Sequence, residues 1–236
     1  MTTPTAVRQR GELSGVAGVP ETALTPEMLR QAPDTSPPAP WVVGGLAVIW
    51  ACRANRHLAD ALPASIRKGS RPLLVVTSMV HYDQTPVGPY DEVVAAAILL
   101  EGRRWVAHVP FIAVDSAASL VGGRLNWALP KTMAQFDGRP ASGIAMTARG
   151  QNWEVRATAS AFGPSLPFRS GTRLVQEDAD RRLCRFEARM TGRWRPARVR
   201  VHVDGSGSLP NWLPSGTFPG LVATRAEGAF PLASGG

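Results

Sequence analysis

The sequence predicts a mostly β fold with a few short helices, in which one large sheet closes as a barrel or folds as a sandwich. At least seven segments favour strands, and turns rich in glycine and proline separate them. In residues 153–159, apolar and polar side chains alternate strictly, as expected for a strand with one buried face. With 44% hydrophobic residues, the 236-residue chain can bury one substantial core. We therefore expect a single domain over residues 41–236.

Residues 1–40 form an arm that differs from the rest of the chain in composition. The arm is rich in Thr, Pro, Gly and Ser and ends in a proline-rich run, so we expect it to be partly disordered. One short helix is predicted inside it, because Thr25 can cap, Pro26 suits the first helical position and Glu27 favours the positive helix end. This helix is expected to become ordered by docking on the body or on a neighbouring subunit.

Eight segments of the domain are predicted as strands from their β-favouring or alternating composition. They lie at residues 46–52, 72–80, 91–100, 105–111, 144–148, 153–159, 184–190 and 197–203. The polar turn at residues 101–104 joins two of these segments, so they are expected to form a hairpin.

Two short helices are predicted between the strands. Asn55 can cap the first helix, which stops before Pro63. Asp115 can cap the second, and Gly122 with Gly123 suits the left-handed cap that ends a helix. The segment that follows the second helix carries the candidate chemistry of the chain.

The basic charge of the chain raises the question of a nucleic-acid partner. The net charge is +8, and eight arginines lie between Arg181 and Arg200. In residues 184–190 and 197–203 these arginines alternate with apolar side chains, so they form the solvated face of amphipathic strands. No specific nucleic-acid partner is therefore expected.

Other broad classes are disfavoured by what the sequence lacks. It contains no run of 18 apolar residues and no apolar signal segment at its start, so a cytoplasmic protein without a membrane partner is expected. It also contains no clustered set of His, Cys, Asp and Glu and no phosphate-binding loop, so neither a metal nor an organic cofactor is expected.

Lys131 is the leading candidate for a catalytic residue. The chain has two lysines beside 24 arginines, and Lys131 directly follows Pro130 in an apolar run. An amine can lose its proton and attack a carbonyl carbon, whereas a guanidinium stays charged. The context indicates a nucleophile, and the alternative is a lysine whose ammonium group reaches solvent from a strand end.

Residues 72–131 resemble the acetoacetate decarboxylase family. The resemblance rests on the segments at 87–92 and 109–118 and on the pair Gly123-Arg124 ahead of Lys131. Weaker matches extend it to about residues 45–230. The resemblance implies a cone-shaped antiparallel β-barrel within a homo-oligomer, with Lys131 at the inner end of an apolar funnel.

The same resemblance implies Schiff-base chemistry. The lysine amine of the family condenses with the keto group of a β-keto acid, and the protonated imine accepts electrons as carbon dioxide leaves. Lys131 would be the nucleophile, and Glu92 would act as an acid or base beside the imine. Burial of the amine would lower its pKa and leave more free amine at neutral pH.

Several residues are candidates for substrate contact. Arg124 can pair with a substrate carboxylate, or structurally with Glu92 or a backbone carbonyl. His81 and Tyr82 precede the variable loop and can project into the funnel, although a strand-end histidine also suits a structural role. The candidate substrate-binding residues are Arg124, Tyr90, His81, Trp127 and Leu129.

Three positions depart from the family pattern. Thr132 stands where a second lysine is common, Thr77 stands where a second acidic residue is expected, and no arginine lies near Gly44 to bind a carboxylate. A lyase acting on a small or medium keto acid is therefore one hypothesis. An aldolase or dehydratase that uses the same imine on a 2-oxo acid or aldehyde is the second. The third is a non-catalytic binding protein in which Lys131 is inert or salt-bridged.

Overall fold

The computed structural model describes residues 11–235, and most of them belong to one large curved β sheet. Its strands are β1 (Trp41–Arg53), β2 (Ser70–Gln84), β3 (Tyr90–Glu101), β4 (Arg104–Val114), β5 (Lys131–Met133), β6 (Gln135–Gly138), β7 (Ala145–Gly150), β8 (Trp153–Ala161), β9 (Leu166–Glu177), β10 (Leu183–Gly205), β11 (Gly216–Phe230) and β12 (Ser234–Gly235).

Short helices connect these strands. They are α1 (residues 11–15), α2 (Pro26–Gln31), α3 (Ala64–Arg67), α4 (Ala117–Trp127) and α5 (Leu209–Trp212), with 3-10 helices at Pro20–Thr22 and Arg56–Ala61. None of the helices described is long and apolar enough to cross a membrane.

The sheet closes partly into a ring. Hydrogen-bonded neighbours follow the order β11, β1, β2, β3, β4, β9, β10, β8, β7 and β6, and β10 pairs with β11 as well. Strand β10 makes this closure because it is 23 residues long, so its first half pairs with β9 and its second half with β8. The prediction of a mostly β fold with few short helices is confirmed, with a partly closed ring in place of the complete barrel we expected.

Strand β3 is mostly apolar on both faces. One face of β3 packs into the main core, and the other lines a cavity enclosed by the ring. The core face carries Val93, Ala95, Ala97 and Leu99, and the cavity face carries Glu92, Val94, Ala96 and Ile98. Since successive side chains of a strand point to opposite sides, covering both sides requires the nearly continuous apolar run seen in the sequence.

The predicted strands are all present, but longer than expected. The two segments at 184–190 and 197–203 join into the single strand β10. Strands β9 and β11 were missed because glycine, proline and arginine weaken their β-favouring pattern. In β10, Ala197, Val199 and Val201 are buried while Arg198 and Arg200 are exposed, as the alternation predicted.

Helix α4 begins and ends later than predicted. Its cap is Ser116, whose side chain accepts a hydrogen bond from the Ser119 backbone N–H, and not Asp115. It runs through Gly122 and Gly123 and ends at Ala128, which adopts the left-handed conformation (φ 52°). The two glycines therefore lie inside the helix, where they allow close packing against other elements.

The arm packs on the body over its described part. Thr25 caps α2 by accepting a hydrogen bond from the Met28 backbone N–H, which confirms the predicted helix. Leu13 and Val19 are buried, and the Val19 backbone N–H donates to the Pro110 carbonyl at 3.0 Å. Residues 1–10 lie outside the described residues, and the partial disorder of the arm stays a prediction.

A buried histidine lies where β4 meets β9. Burial lowers the pKa of His108 to about 4, although its hydrogen bond with the Val175 carbonyl and the neighbouring Gln176 and Glu177 favour protonation. The unfolded chain takes up a proton near the ordinary pKa of 6.5. The free energy of unfolding should therefore fall as the pH falls from about 6.5 towards 4, because the unfolded state binds more protons.

We expect the His108→Gln variant to lose part of this pH dependence. In the parent, lowering the pH from 7 to 5 should reduce the free energy of unfolding by about 2 kcal/mol through protonation of His108 in the unfolded chain. Glutamine does not titrate in that range. Urea unfolding at both pH values measures the difference, with the exposed His202→Gln as the control. An equal pH dependence in His108→Gln and the parent would contradict the assignment.

Candidate active site

The cavity inside the ring is mostly apolar and has a volume of about 370 Å³. Strands β1, β2, β3, β4, β9, β10 and β11 all contribute to its lining. Lys131 and Glu92 lie at a fully buried part of it, whereas Glu227 is an exposed residue of the lining. A charged pair enclosed by apolar side chains is the expected form of a reactive site.

The chain path brings Lys131 next to Glu92. Lys131 opens β5, which runs parallel to β4 with Lys131 opposite Ile112. On the other side of β4, Glu92 of β3 is opposite Val114, which lies two residues after Ile112 on β4. Both charged residues therefore project from the same face of the two strands that flank β4, although 39 positions separate them in the sequence.

Three side chains surround the Lys131 amine. Lys131 Nζ donates to Glu92 Oε2 at 2.8 Å and to Ser119 Oγ at 2.9 Å, and it lies 3.5 Å from the Tyr90 hydroxyl. The Tyr82 hydroxyl donates to Glu92 Oε1 at 3.3 Å. Every polar atom at the buried part of the cavity thus has a partner that holds it in place.

The neighbours of Lys131 reverse the predicted shift of its pKa. Burial alone lowers the pKa of the Lys131 ammonium, but Glu92 and Tyr90 raise it through charge and hydrogen bonding, so the pKa lies above its ordinary value. Burial also raises the pKa of Tyr90 and, well above the usual range, that of Tyr82. At neutral pH the site therefore holds an ammonium–carboxylate pair beside two protonated phenols.

We expect the Glu92→Gln variant to lower the pKa of Lys131. Without the carboxylate, burial dominates and favours the neutral amine. Covalent capture of a carbonyl compound by Lys131 should then begin at lower pH than in the parent. Rates of reductive trapping between pH 6 and 10 measure the shift, with Glu154→Gln on the outer face of β8 as the control. A profile unchanged from the parent would show that Glu92 does not control this amine.

Helix α4 packs directly on the Lys131 side chain. A Cβ atom at Gly123 would lie 2.5 Å from Lys131 Cδ, so no larger residue fits there without displacing the lysine. At Gly122 the same atom would lie 2.5 Å from the Trp41 ring. The adjacent glycines thus let the helix approach both the lysine and the cavity wall.

Arg124 lies behind the site and does not line the cavity. Its guanidinium donates to the carbonyl oxygens of Lys131, Leu13 and Thr22 at 2.7, 2.5 and 2.6 Å. Burial lowers the pKa of Arg124 to about 9, which leaves it charged at neutral pH. It joins the backbone of Lys131 to the arm, which corresponds to the structural alternative considered for this residue.

We expect Arg124→Lys to destabilise the protein by about 3 kcal/mol, because one ammonium cannot satisfy three buried carbonyls arranged around a planar guanidinium. Urea unfolding should show this loss, and proteolysis should cut residues 11–40 faster. The exposed Arg198→Lys is the matched control and should change stability by less than about 0.5 kcal/mol. Equal stabilities for both variants would contradict the role assigned to Arg124.

The other predicted substrate-binding residues are divided between the cavity and its surroundings. Tyr90, Trp127 and Leu129 line the cavity, and Trp127 Nε1 donates to the Pro231 carbonyl at 2.6 Å. His81 is not among the lining residues, since its Nδ1 lies 2.7 Å from Asp91 Oδ1 on the opposite side of β2.

The two threonines that depart from the family pattern both face away from the cavity. Thr77 is fully buried on the core face of β2, whereas its neighbour Ser78 lines the cavity. Thr132 points to the arm, where its hydroxyl lies 3.7 Å from Met28 Sδ. Neither position brings a side chain to the Lys131 amine in this structure.

Ser119 was missed by sequence reasoning. It lies in the first turn of α4, three residues after the cap Ser116, and its hydroxyl reaches the Lys131 amine. Its signal in the sequence is weak because a serine near a helix start is usually read as part of the cap. In the part of the chain described, no three His, Cys, Asp or Glu side chains are placed to hold a metal ion.

The fold is a partly closed ring, and its apolar cavity holds a buried lysine–carboxylate pair. The chain belongs to the acetoacetate decarboxylase family, whose model (Acetoacetate decarboxylase, ADC) matches residues 23–163. No curated protein is significantly similar to the chain in sequence.

Solved structures show the same fold at low sequence identity. The enduracididine biosynthesis enzyme MppR complexed with pyruvate has a TM-score of 0.67 and 14% identity, with 84% of this chain and 91% of that chain covered. MppR with the condensation product of pyruvate and imidazole 4-carboxaldehyde has a TM-score of 0.63 and 15% identity, with 84% and 90% covered. Acetoacetate decarboxylase from Legionella pneumophila has a TM-score of 0.63 and 12% identity, with 86% and 89% covered. At these identities the likeness establishes the fold alone.

Proposed function

We propose that the protein is a Schiff-base-forming lyase that acts on a small or medium keto acid or on an aldehyde through Lys131. The observation that carries this proposal is the buried Lys131 Nζ, 2.8 Å from Glu92 Oε2 in an apolar cavity. A lysine held in this way has a carboxylate at hand to accept its proton and space in front of it for a carbonyl compound.

Glu92 is proposed to activate the amine by taking its proton. The apolar surroundings disfavour separated charges, so the energy difference between the ammonium–carboxylate pair and the neutral amine–acid pair is small enough for a bound substrate to change it. The proton moves from Lys131 Nζ to Glu92 Oε2. The neutral amine then adds to the carbonyl carbon, and a proton passes from nitrogen to the former carbonyl oxygen.

Glu92 next returns its proton to the carbinolamine hydroxyl, and water leaves. The products are a protonated imine on Lys131 and the Glu92 carboxylate, so charge and protons balance. With a β-keto acid, the bond to the carboxylate carbon breaks, its electrons reach the imine nitrogen, and carbon dioxide and an enamine result. Tyr90 and Ser119 are positioned to hold the nitrogen during these steps.

Aldol addition with dehydration is an alternative use of the same imine. The protonated imine would lose an α-proton to the Glu92 carboxylate and become an enamine. The enamine carbon would add to an aldehyde carbonyl while Glu92 returns the proton to the new alkoxide, and loss of water would follow. A structural neighbour, MppR, is complexed with a condensation product of pyruvate and an aldehyde, which supports this alternative. Within the described chain no arginine lines the cavity to hold a substrate carboxylate, which favours this alternative for aldehydes and ketones that carry no carboxylate.

A non-catalytic binding protein is the second candidate function. The observation that favours it is the raised pKa of Lys131, which keeps the amine protonated beside Glu92. In that case the pair would be a structural ion pair at the base of a ligand-binding cavity. The two candidates differ in whether Lys131 ever becomes covalently bound.

Reductive trapping tests the proposal. The protein is incubated with pyruvate, acetoacetate or a panel of aldehydes and ketones together with sodium cyanoborohydride, and intact mass and peptide mapping locate any adduct. We expect a single adduct on Lys131. The mapping is simple because Lys68 and the chain's α-amino group are the other amines. The absence of an adduct on Lys131 across the panel would favour the binding protein.

A further inference from the structure

We propose that the cavity binds a neutral ketone or aldehyde with an apolar tail, in preference to the anion of a keto acid. This inference rests on the imine chemistry of the proposed function, because it concerns the compound that Lys131 captures, and it favours the aldol alternative over decarboxylation. It follows from the charges that line the cavity and from the direction in which the cavity extends from Lys131.

The cavity offers no free positive charge to a carboxylate. Its charged lining residues are Glu92, Lys131 and Glu227, and within the described chain no arginine or histidine lines it. Lys131 is already paired with Glu92. Glu227 is exposed, and its nearest ion-pair partner, Arg225, is 3.8 Å away and also exposed. The acidic groups of the lining therefore outnumber the basic one.

Imine formation leaves this balance unchanged. The protonated imine carries one positive charge in place of the ammonium, and Glu92 still compensates it. A substrate carboxylate would then add a second negative charge to an apolar enclosure, where an unpaired ion is strongly disfavoured. A neutral carbonyl compound adds no charge, so the ion pair remains matched at every stage.

The lining extends from the charged pair along an apolar path. On β3 the side chains of Val94, Ala96 and Ile98 follow Glu92 on the cavity face. At the usual strand rise, the stretch from Glu92 to Ile98 extends over roughly 20 Å. A keto acid of three or four carbons would occupy only the part beside Lys131. An alkyl tail would remove the remaining apolar surface from water, which is the main source of binding energy in such a site.

Paired ligands that differ only in charge test the inference. The parent protein is trapped with 2-octanone and with 7-oxooctanoate, which carries the same methyl ketone on a chain of the same length and ends in a carboxylate. We expect adduct formation on Lys131 to be at least tenfold faster with 2-octanone. Lys131→Arg, in the same reactions, identifies adducts formed at other amines.

A second variant tests where the tail lies. Ala96→Leu narrows the apolar path and should slow trapping of 2-octanone about ten times more than trapping of propanone, which needs no tail space. The matched control is Ala229→Leu, at an exposed residue of β11. Trapping of propanone also shows that Ala96→Leu is folded and that its lysine is active.

The outcomes separate the inference from the function it rests on. Trapping of 7-oxooctanoate on Lys131 as fast as 2-octanone would overturn the preference for a neutral ligand and leave the Schiff-base lysine intact. Equal slowing of 2-octanone and propanone by Ala96→Leu would overturn the placement of the tail. The absence of any Lys131 adduct, with these ligands and the keto acids alike, would overturn the proposed function and the inference together.

Discussion

The Lys131→Arg variant is expected to form no reducible adduct with any carbonyl compound and to lose activity by a factor of about 10³ or more. A guanidinium paired with Glu92 stays protonated at neutral pH, so it cannot attack a carbonyl carbon. It retains the positive charge that Glu92 needs, and the fold should therefore survive. Intact-mass analysis after reductive trapping measures the loss of the adduct, and urea unfolding measures the stability.

Two further variants separate chemistry from folding. Lys131→Met leaves Glu92 as an unpaired buried carboxylate and should destabilise the protein by about 3–5 kcal/mol. Adding Glu92→Gln removes that charge and should restore most of the stability without restoring the adduct. Lys68→Arg, at an exposed lysine, is the matched control and should trap like the parent. An adduct that persists in Lys131→Arg and disappears in Lys68→Arg would assign the reactive amine to the other lysine.

Replacing Gly123 by alanine is expected to slow trapping about 100-fold while the protein stays folded. The new methyl group would meet Lys131 Cδ at 2.5 Å and Cε at 2.7 Å, so the lysine side chain must move away from Glu92 and Ser119. Displacing a reacting group by about 1 Å can cost a factor of about 10² in rate. Trapping kinetics with propanone, compared with thermal unfolding of the same samples, measure both effects.

Gly69→Ala is the matched control for this substitution, because a Cβ atom there meets nothing within 4 Å. It should leave both the rate and the stability close to those of the parent. At residue 123 the higher helix propensity of alanine should stabilise the protein by about 1 kcal/mol, which offsets part of the destabilisation caused by the close contact. Trapping by Gly123→Ala at the parent's rate would mean that the lysine can shift without consequence, and the close contact would then have no functional role.

Much of the fold could be predicted from local sequence patterns. The alternation in residues 153–159 and the turn at residues 101–104 are local signals, and the strands and the hairpin they predict are present. Thr25 and Asn55 cap helices as expected, because a cap depends on a few adjacent residues. The contrast between Lys131 and the abundant arginines is also local, and Lys131 is a buried residue of the cavity.

Local patterns could not identify which buried face of a strand each residue occupies. Periodicity distinguishes a buried side from a wet side, but β2 is covered on both sides. Counting along the strand placed Thr77 at a site for an acid. The register instead directs the Thr77 side chain towards the core and the Ser78 side chain towards the cavity. The glycines at 122 and 123 had the same ambiguity, since a helix end and close packing both favour glycine.

The sequence by itself determined the eight predicted strands, the helix cap in the arm and the identity of the buried lysine, because each depends on residues close together in the chain. Only the tertiary structure decided that Arg124 supports the backbone behind the site and that Glu92 lies 2.8 Å from Lys131. It also reversed the direction of the lysine's pKa shift, which burial alone would have lowered. These properties depend on the register of β3, β4 and β5, because electrostatic interactions are set by distances in space and not by positions along the chain.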